Sequence, residues 1–149
     1  IINIHKFDSE LNQISELLNN CPSIPKFVRF AAEFNVWGDI PTPKEFIDAF
    51  RYVHDYFERT NPDVAIVWSP VPVSSWGLNI NEYYPGDKYV DWVGLSLYAK
   101  KYFQGDPTIQ NDYTDVVYKT GIACDPILTI KDFVETYGNR KKIHSKSNA

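Results

Sequence analysis

Leu11, Ile14, Leu17 and Leu18 are the first regular set of apolar positions; they fall at helical spacing behind Asp8 and Ser9, either of which can cap a helix. Asn19-Asn20-Cys21-Pro22 ends that amphipathic helix. After the turn from Pro22 to Pro25, residues 27–32 are short and rich in aromatic and branched side chains, which predicts a strand that delivers Glu33 at its C-terminal end. Thr42-Pro43-Lys44-Glu45 then combines a capping Thr, a Pro at the first helical position and a Glu three residues after the cap. A helix is expected from about Pro43, with Phe46, Ile47, Phe50, Val53 and Phe57 on one face and Thr60-Asn61-Pro62 as its stop. Residues 64–69 read as a buried strand, Pro70 to Trp76 as a proline-rich loop, and Tyr84-Pro85-Gly86-Asp87 as a turn. Residues 90–97 predict a third strand ending at Tyr98. A polar loop with a short helix around residues 115–119 follows, and Thr129 caps a last helix over residues 130–137, closed by Gly138.

This alternation of helix and strand is the pattern of parallel βα units. The strand ends at Glu33, Ser69 and Tyr98 recur at close to the roughly 31 residues per unit of an eight-unit barrel built from about 250 residues. No Gly-rich phosphate loop follows a strand, which argues against a nucleotide-binding open sheet. The expected fold is therefore α/β: an incomplete segment of a (β/α)8 TIM barrel, residues 1–149 forming one partial domain with units missing on both sides. No Met occurs anywhere in the chain, so Ile1 is expected to follow a processing or cutting event.

Composition narrows the function classes. With 44% hydrophobic residues the 149-residue chain has the material for a core. Fifteen Lys and Arg against 19 Asp and Glu give a net charge of −4, and the basic residues are scattered apart from 140–142, so a nucleic-acid partner is not expected. No apolar run approaches the ~20 residues of a membrane helix, and no N-terminal segment of the sequence reads as a signal peptide, which in a chain that does not begin with Met says nothing about secretion. His5, His54 and His144 are too far apart to suggest metal ligands, and no cofactor is implied. A Gly-x-Ser-x-Gly elbow is absent. Cys21 and Cys124 lack any CxxC spacing and read as free thiols, with a disulfide as the alternative. Aromatic residues make up 15% of the chain, suited both to a core and to stacking on the apolar faces of sugar rings.

Active sites of such barrels lie at the C-terminal ends of the strands, which singles out Glu33 and Asn35, Trp68 and Ser69, and Ser96 and Tyr98. Glu33, flanked by Phe34 and Trp37, is placed to act as a general acid; its plain alternative is a rim carboxylate in solvent or paired with Arg29.

Three segments carry a resemblance: Val28-Arg29-Phe30-Ala31-Ala32-Glu33-Phe34-Asn35-Val36-Trp37, Val67-Trp68-Ser69-Pro70, and Tyr83-Tyr84-Pro85-Gly86-Asp87-Lys88-Tyr89-Val90-Asp91-Trp92-Val93-Gly94-Leu95. In order and spacing they resemble the fourth, fifth and sixth strand regions of glycoside hydrolase family 26, the β-mannanases and related β-glucan and xylan hydrolases. The resemblance covers roughly residues 25–98, with a weaker echo in 130–140. It implies a retaining hydrolase of β-linked polysaccharide, secreted or at the cell surface. Glu33 is then similar to the acid/base, and Tyr98 to the tyrosine that supports the nucleophile. Trp37, Trp68, Trp76 and Asn35 are the implied substrate contacts, with core or rim packing as the alternative for Trp37 and Trp68, whereas structural roles are expected of Asp91 and Trp92 at the start of their strand. Ala32 stands where the family has His, Val71 where Asn often follows Trp-Ser-Pro, and Ser96 where Asp is common. The family places a second Glu, the nucleophile, on its seventh strand. Residues 139–149 contain no acid and read as a truncated or altered tail, so the 149-residue chain is expected to be inactive alone. The alternative reading is a non-catalytic carbohydrate-binding or inactive barrel relic.

Overall fold

A computed structural model describes residues 4–36, 41–71, 78–96 and 131–139. Trp37, Trp76, Tyr98, Cys124, the expected helix at 115–119 and the tail beyond Asn139 lie outside these residues. A 3₁₀ turn, Ile4–Phe7, leads into helix α1, Asp8–Asn19. Strand β1 is Lys26–Arg29, helix α2 is Pro43–Thr60, strand β2 is Val64–Trp68 and strand β3 is Trp92–Val93. The three strands form one parallel sheet in the order β1-β2-β3, with Lys26 opposite Val64 and Val67 opposite Trp92. Parallel strands joined through α2 are the βα arrangement the alternation predicts.

Two expected boundaries move. β1 ends at Arg29 rather than at residue 32, because Ala31 and Glu33 both take positive φ, 47° and 60°, which no strand tolerates. The third strand is shorter by its pairing, yet its hydrogen bonds run on: the N–H groups of Asp91, Gly94 and Ser96 donate to the carbonyls of Ile66, Trp68 and Pro70. The Asp91 carboxylate also accepts the N–H of Ile66 at 2.8 Å, which gives this residue the structural role its place at the strand's start predicts. The last helix is helical at 131–133 and continues as a π-turn over Val134–Gly138.

The core forms where α2 lies on one face of the sheet. Side chains alternate along a strand, so Val64, Ile66 and Trp68 of β2 point to the same side and meet Phe46, Phe50, Val53 and Phe57 of α2. Lys26 is buried at the edge of this layer and paired with Asp63, and Asn61, 1% exposed, ties the end of α2 to α1 through the Ser15 carbonyl. The opposite face is less covered: Phe27 and Trp92 meet edge to face there while 56% and 42% exposed.

The start of α2 carries the predicted capping box. The Glu45 N–H donates to the Thr42 hydroxyl and the Thr42 N–H donates back to the Glu45 carboxylate. The Thr42 backbone, followed by its hydroxyl, holds the Glu45 carboxyl below its usual value of 4.5. At the α1–α2 junction the Tyr52 hydroxyl, assisted by His5, does the same for Asp8, whose ordinary value is 3.8. A depressed folded-state value means that the stabilisation is complete above the ordinary value and is lost as pH falls through the folded one. Urea midpoints should therefore decline as pH drops below about 4.5. Thr42→Ala should cost about 1 kcal/mol at neutral pH, and combined with Tyr52→Phe it should flatten the acid limb. An acid limb unchanged in the double variant would show that other carboxylates control it.

Candidate functional site

Glu33 sits in the turn that follows β1, and its backbone is fixed by two contacts to the extension of β2 and by packing of the next residue on α2 and Tyr83. Its N–H donates to the Ser69 carbonyl at 2.9 Å, which continues the β1–β2 ladder past the last paired residue. On one side of it, Phe34 is 7% exposed and packs on Phe46 and Tyr83, with centroids 4.2 and 5.1 Å apart. Further on, Asn35 is fully buried, and its carboxamide imitates a peptide group: Nδ2 donates to the Val71 carbonyl at 2.7 Å and Oδ1 accepts the Val71 N–H at 2.9 Å. The left-handed backbone of Glu33 is thus held at its own N–H and by the two residues that follow it. Non-glycine residues in this region cost of order 1–3 kcal/mol and persist where the surroundings over-determine them, as at ligand-binding and catalytic positions.

The aromatic support continues below. Tyr83 is 4% exposed and its hydroxyl donates to the Pro41 carbonyl at 3.1 Å; burial pushes that hydroxyl's pKa above its usual value. The Tyr-Tyr-Pro-Gly-Asp turn is bound to α2 by Arg51, whose Nε donates to the Pro85 carbonyl at 2.9 Å and whose guanidinium lies 4.8 Å from the Tyr89 ring centroid. Gly86 takes φ 102° there, a conformation that explains glycine at this position. Tyr84 donates to Asp87 at 2.8 Å across the same turn. The most distinctive stretch of sequence is therefore scaffold under the Glu33 turn.

Two expected sugar contacts are corrected. Trp68 is 0% exposed, stacked on Phe133 at 12° and flanked by Tyr84 and Tyr137 at 5.1 and 5.0 Å. Neither ring face is open to a glycan, because residue 68 points to the helix layer with Val64 and Ile66. Asn35 is likewise enclosed, its amide engaged with Val71. Glu33 is half-buried at the strand end, and it forms no ion pair with Arg29, whose side chain turns to Ser69 and Ser96 instead. Trp37, Trp76 and Tyr98 lie outside the described residues. No group of three or more His, Cys, Asp or Glu able to hold a metal occurs among the described residues, and none of their helices is long and apolar enough to cross a membrane.

The parallel sheet thus presents Glu33 on a constrained turn after β1, with Tyr83 of the Tyr-Tyr-Pro-Gly-Asp segment packed against the neighbouring Phe34. The profile of glycosyl hydrolase family 26 matches residues 4–127. The chain belongs to glycosyl hydrolase family 26. No curated protein matches it. The family 26 match begins well before the segments whose resemblance was legible, so α1 is part of the family's domain, and it stops short of the helical turn at 131–139. Family 26 is a family of TIM-barrel glycoside hydrolases, and the parallel three-stranded sheet with α2 on one face is consistent with a piece of such a barrel.

Sequence reading missed what Asn35, Phe34 and Arg29 do. A lone Asn between an aromatic and a branched residue carries no mark of where its amide will point. Arg29 had one signal: it lies an even number of residues from Phe27, on the strand face that α2 leaves open.

Proposed function

We propose that this chain supplies strands four to six of a retaining β-glycoside hydrolase acting on β-mannan or a related β-glucan or xylan, with Glu33 as the acid/base. The observation that carries the reading is the backbone of Glu33: an acidic residue in the left-handed region at the C-terminal end of a parallel strand, bonded to Ser69 and backed by the Asn35–Val71 pair. A retaining mechanism needs two carboxyl groups about 5–5.5 Å apart, one protonating the leaving oxygen and then activating water, the other attacking the anomeric carbon. Glu33 serves as the first. The second we place outside the described residues, on a further strand of the barrel, and residues 1–149 form one partial barrel domain. Trp37 and Trp76 are the proposed sugar platforms, and Tyr98 the group that steadies the nucleophile. Export to the cell surface or beyond is part of the same reading, since polymeric glycan is met there.

The test is hydrolysis of β-mannan, β-glucan and xylan by the 149-residue chain and by a version joined to the remaining barrel strands. The extended version should release sugar of retained anomeric configuration on at least one polymer, seen by proton NMR in the first minutes, and the shorter one none. Inverted configuration would remove the two-step mechanism, and no turnover by the extended form would remove the hydrolase reading. The alternative, a binding relic, predicts oligosaccharide quenching of Trp fluorescence without turnover in either form.

A further inference from the structure

Arg29, Ser69 and Ser96 come from the ends of three neighbouring strands and meet on the sheet face that α2 does not cover. Arg29 Nη2 donates to Ser69 Oγ at 2.8 Å and to Ser96 Oγ at 3.2 Å. Each hydroxyl accepts from the guanidinium and keeps its own proton for another acceptor. The other guanidinium N–H groups, at Nε and Nη1, have no acceptor among the described residues, and no carboxylate there lies within ion-pair reach of Arg29. Ser69 is only 2% exposed, so the protein, not solvent, sets where its hydroxyl points. Gly94 leaves the space that this needs: a Cβ there would come within 3.2 Å of Ser69 Oγ. Among the described residues the cluster holds one full positive charge, several unused donors and no anionic acceptor, in a chain whose net charge is −4.

We propose that Arg29, Ser69 and Ser96 form a carboxylate-binding site. A carboxylate can take a guanidinium N–H with one oxygen and a serine hydroxyl with the other, a charge-assisted arrangement that a neutral sugar hydroxyl cannot match. The same Ser69 whose hydroxyl faces the site accepts the Glu33 N–H on its carbonyl, so a carboxylate bound here lies beside the proposed acid/base. The carboxylate has two sources, a uronic acid unit of a glycan or an acidic side chain from another part of the barrel. The functional meaning of the site rests on the hydrolase reading; its existence does not.

The experiment is a titration of the full chain followed by the Arg29 Nε–H NMR resonance, with acetate, glucuronate and methyl β-glucoside as probes. Acetate and glucuronate should shift it saturably with millimolar affinity, and the neutral glucoside should not. Arg29→Gln should weaken glucuronate binding, read by calorimetry, at least about tenfold, and Ser96→Ala, which leaves the buried Ser69 intact, should weaken it less. Glucuronate at least about tenfold tighter than acetate assigns the site to an acidic glycan; equal affinities assign it to a side-chain carboxylate. A resonance that carboxylates move no more than the glucoside does, or binding undiminished in Arg29→Gln with an unchanged near-ultraviolet spectrum, overturns the proposal. Because Glu33 is not probed here, failure leaves the hydrolase reading standing, and loss of that reading leaves this measurement valid.

Discussion

Glu33→Ala, in a barrel completed with the remaining strands, is expected to slow hydrolysis of a β-linked polysaccharide by about 10²–10⁴-fold, the contribution of a positioned general acid. The poor leaving group of a polysaccharide needs a proton as the glycosidic bond breaks. An aryl glycoside with a good leaving group departs with little such help, so its first step should be nearly spared and its intermediate should accumulate. Azide should then restore turnover by attacking that intermediate without a general base, giving a glycosyl azide of retained configuration. Equal loss on both substrates with no azide product would show that Glu33 is not the acid/base. The outcome also separates a chemical from a scaffolding role, since a disordered turn would harm both substrates alike.

Trp68→Ala should cost about 3–5 kcal/mol, the range for truncating a large aromatic in a packed core. With domain stabilities of about 5–15 kcal/mol, that loss removes much of the margin. The reason is where the ring lies: fully buried, between Phe34 on the Glu33 turn and Phe133 and Tyr137 on the last helical turn. Its indole Nε1 has no hydrogen-bond partner among the described residues, so Trp68→Phe, which removes that group and keeps an aromatic ring, should cost clearly less. Urea unfolding of the two variants gives the comparison. A fully stable Trp68→Ala protein that had lost only its sugar binding would return Trp68 to the role of a platform.

The difference between these two residues shows what the sequence can and cannot tell. α2 was legible from end to end, because its Thr42–Glu45 box and its Phe46, Phe50, Val53 and Phe57 face are local patterns. β2 was legible as a buried run. Which way Trp68 faces was not, since an apolar run filled on both sides has no alternation to betray it; only the register against α2 decides. β1 ended early because positive φ at Ala31 and Glu33 is imposed by the hydrogen bond to Ser69 and by Asn35 reaching Val71, partners some 36 residues away in sequence. Of the candidate site, the position of Glu33 at a strand end was readable; the means of holding it there was tertiary and left no local trace.

The strained backbone at Glu33 bears on how the gene would age. Glycine at position 33 relieves a left-handed conformation that disfavours any residue with a β-carbon, so drift toward higher stability runs toward Gly and away from the acid. A lineage freed from the need for a carboxyl group there would meet no penalty along that route. A chain that still holds Glu at φ 60° occupies a position that mutation alone would tend to empty, and surveys of its descendants at this single codon would distinguish a working ancestor from a decaying one.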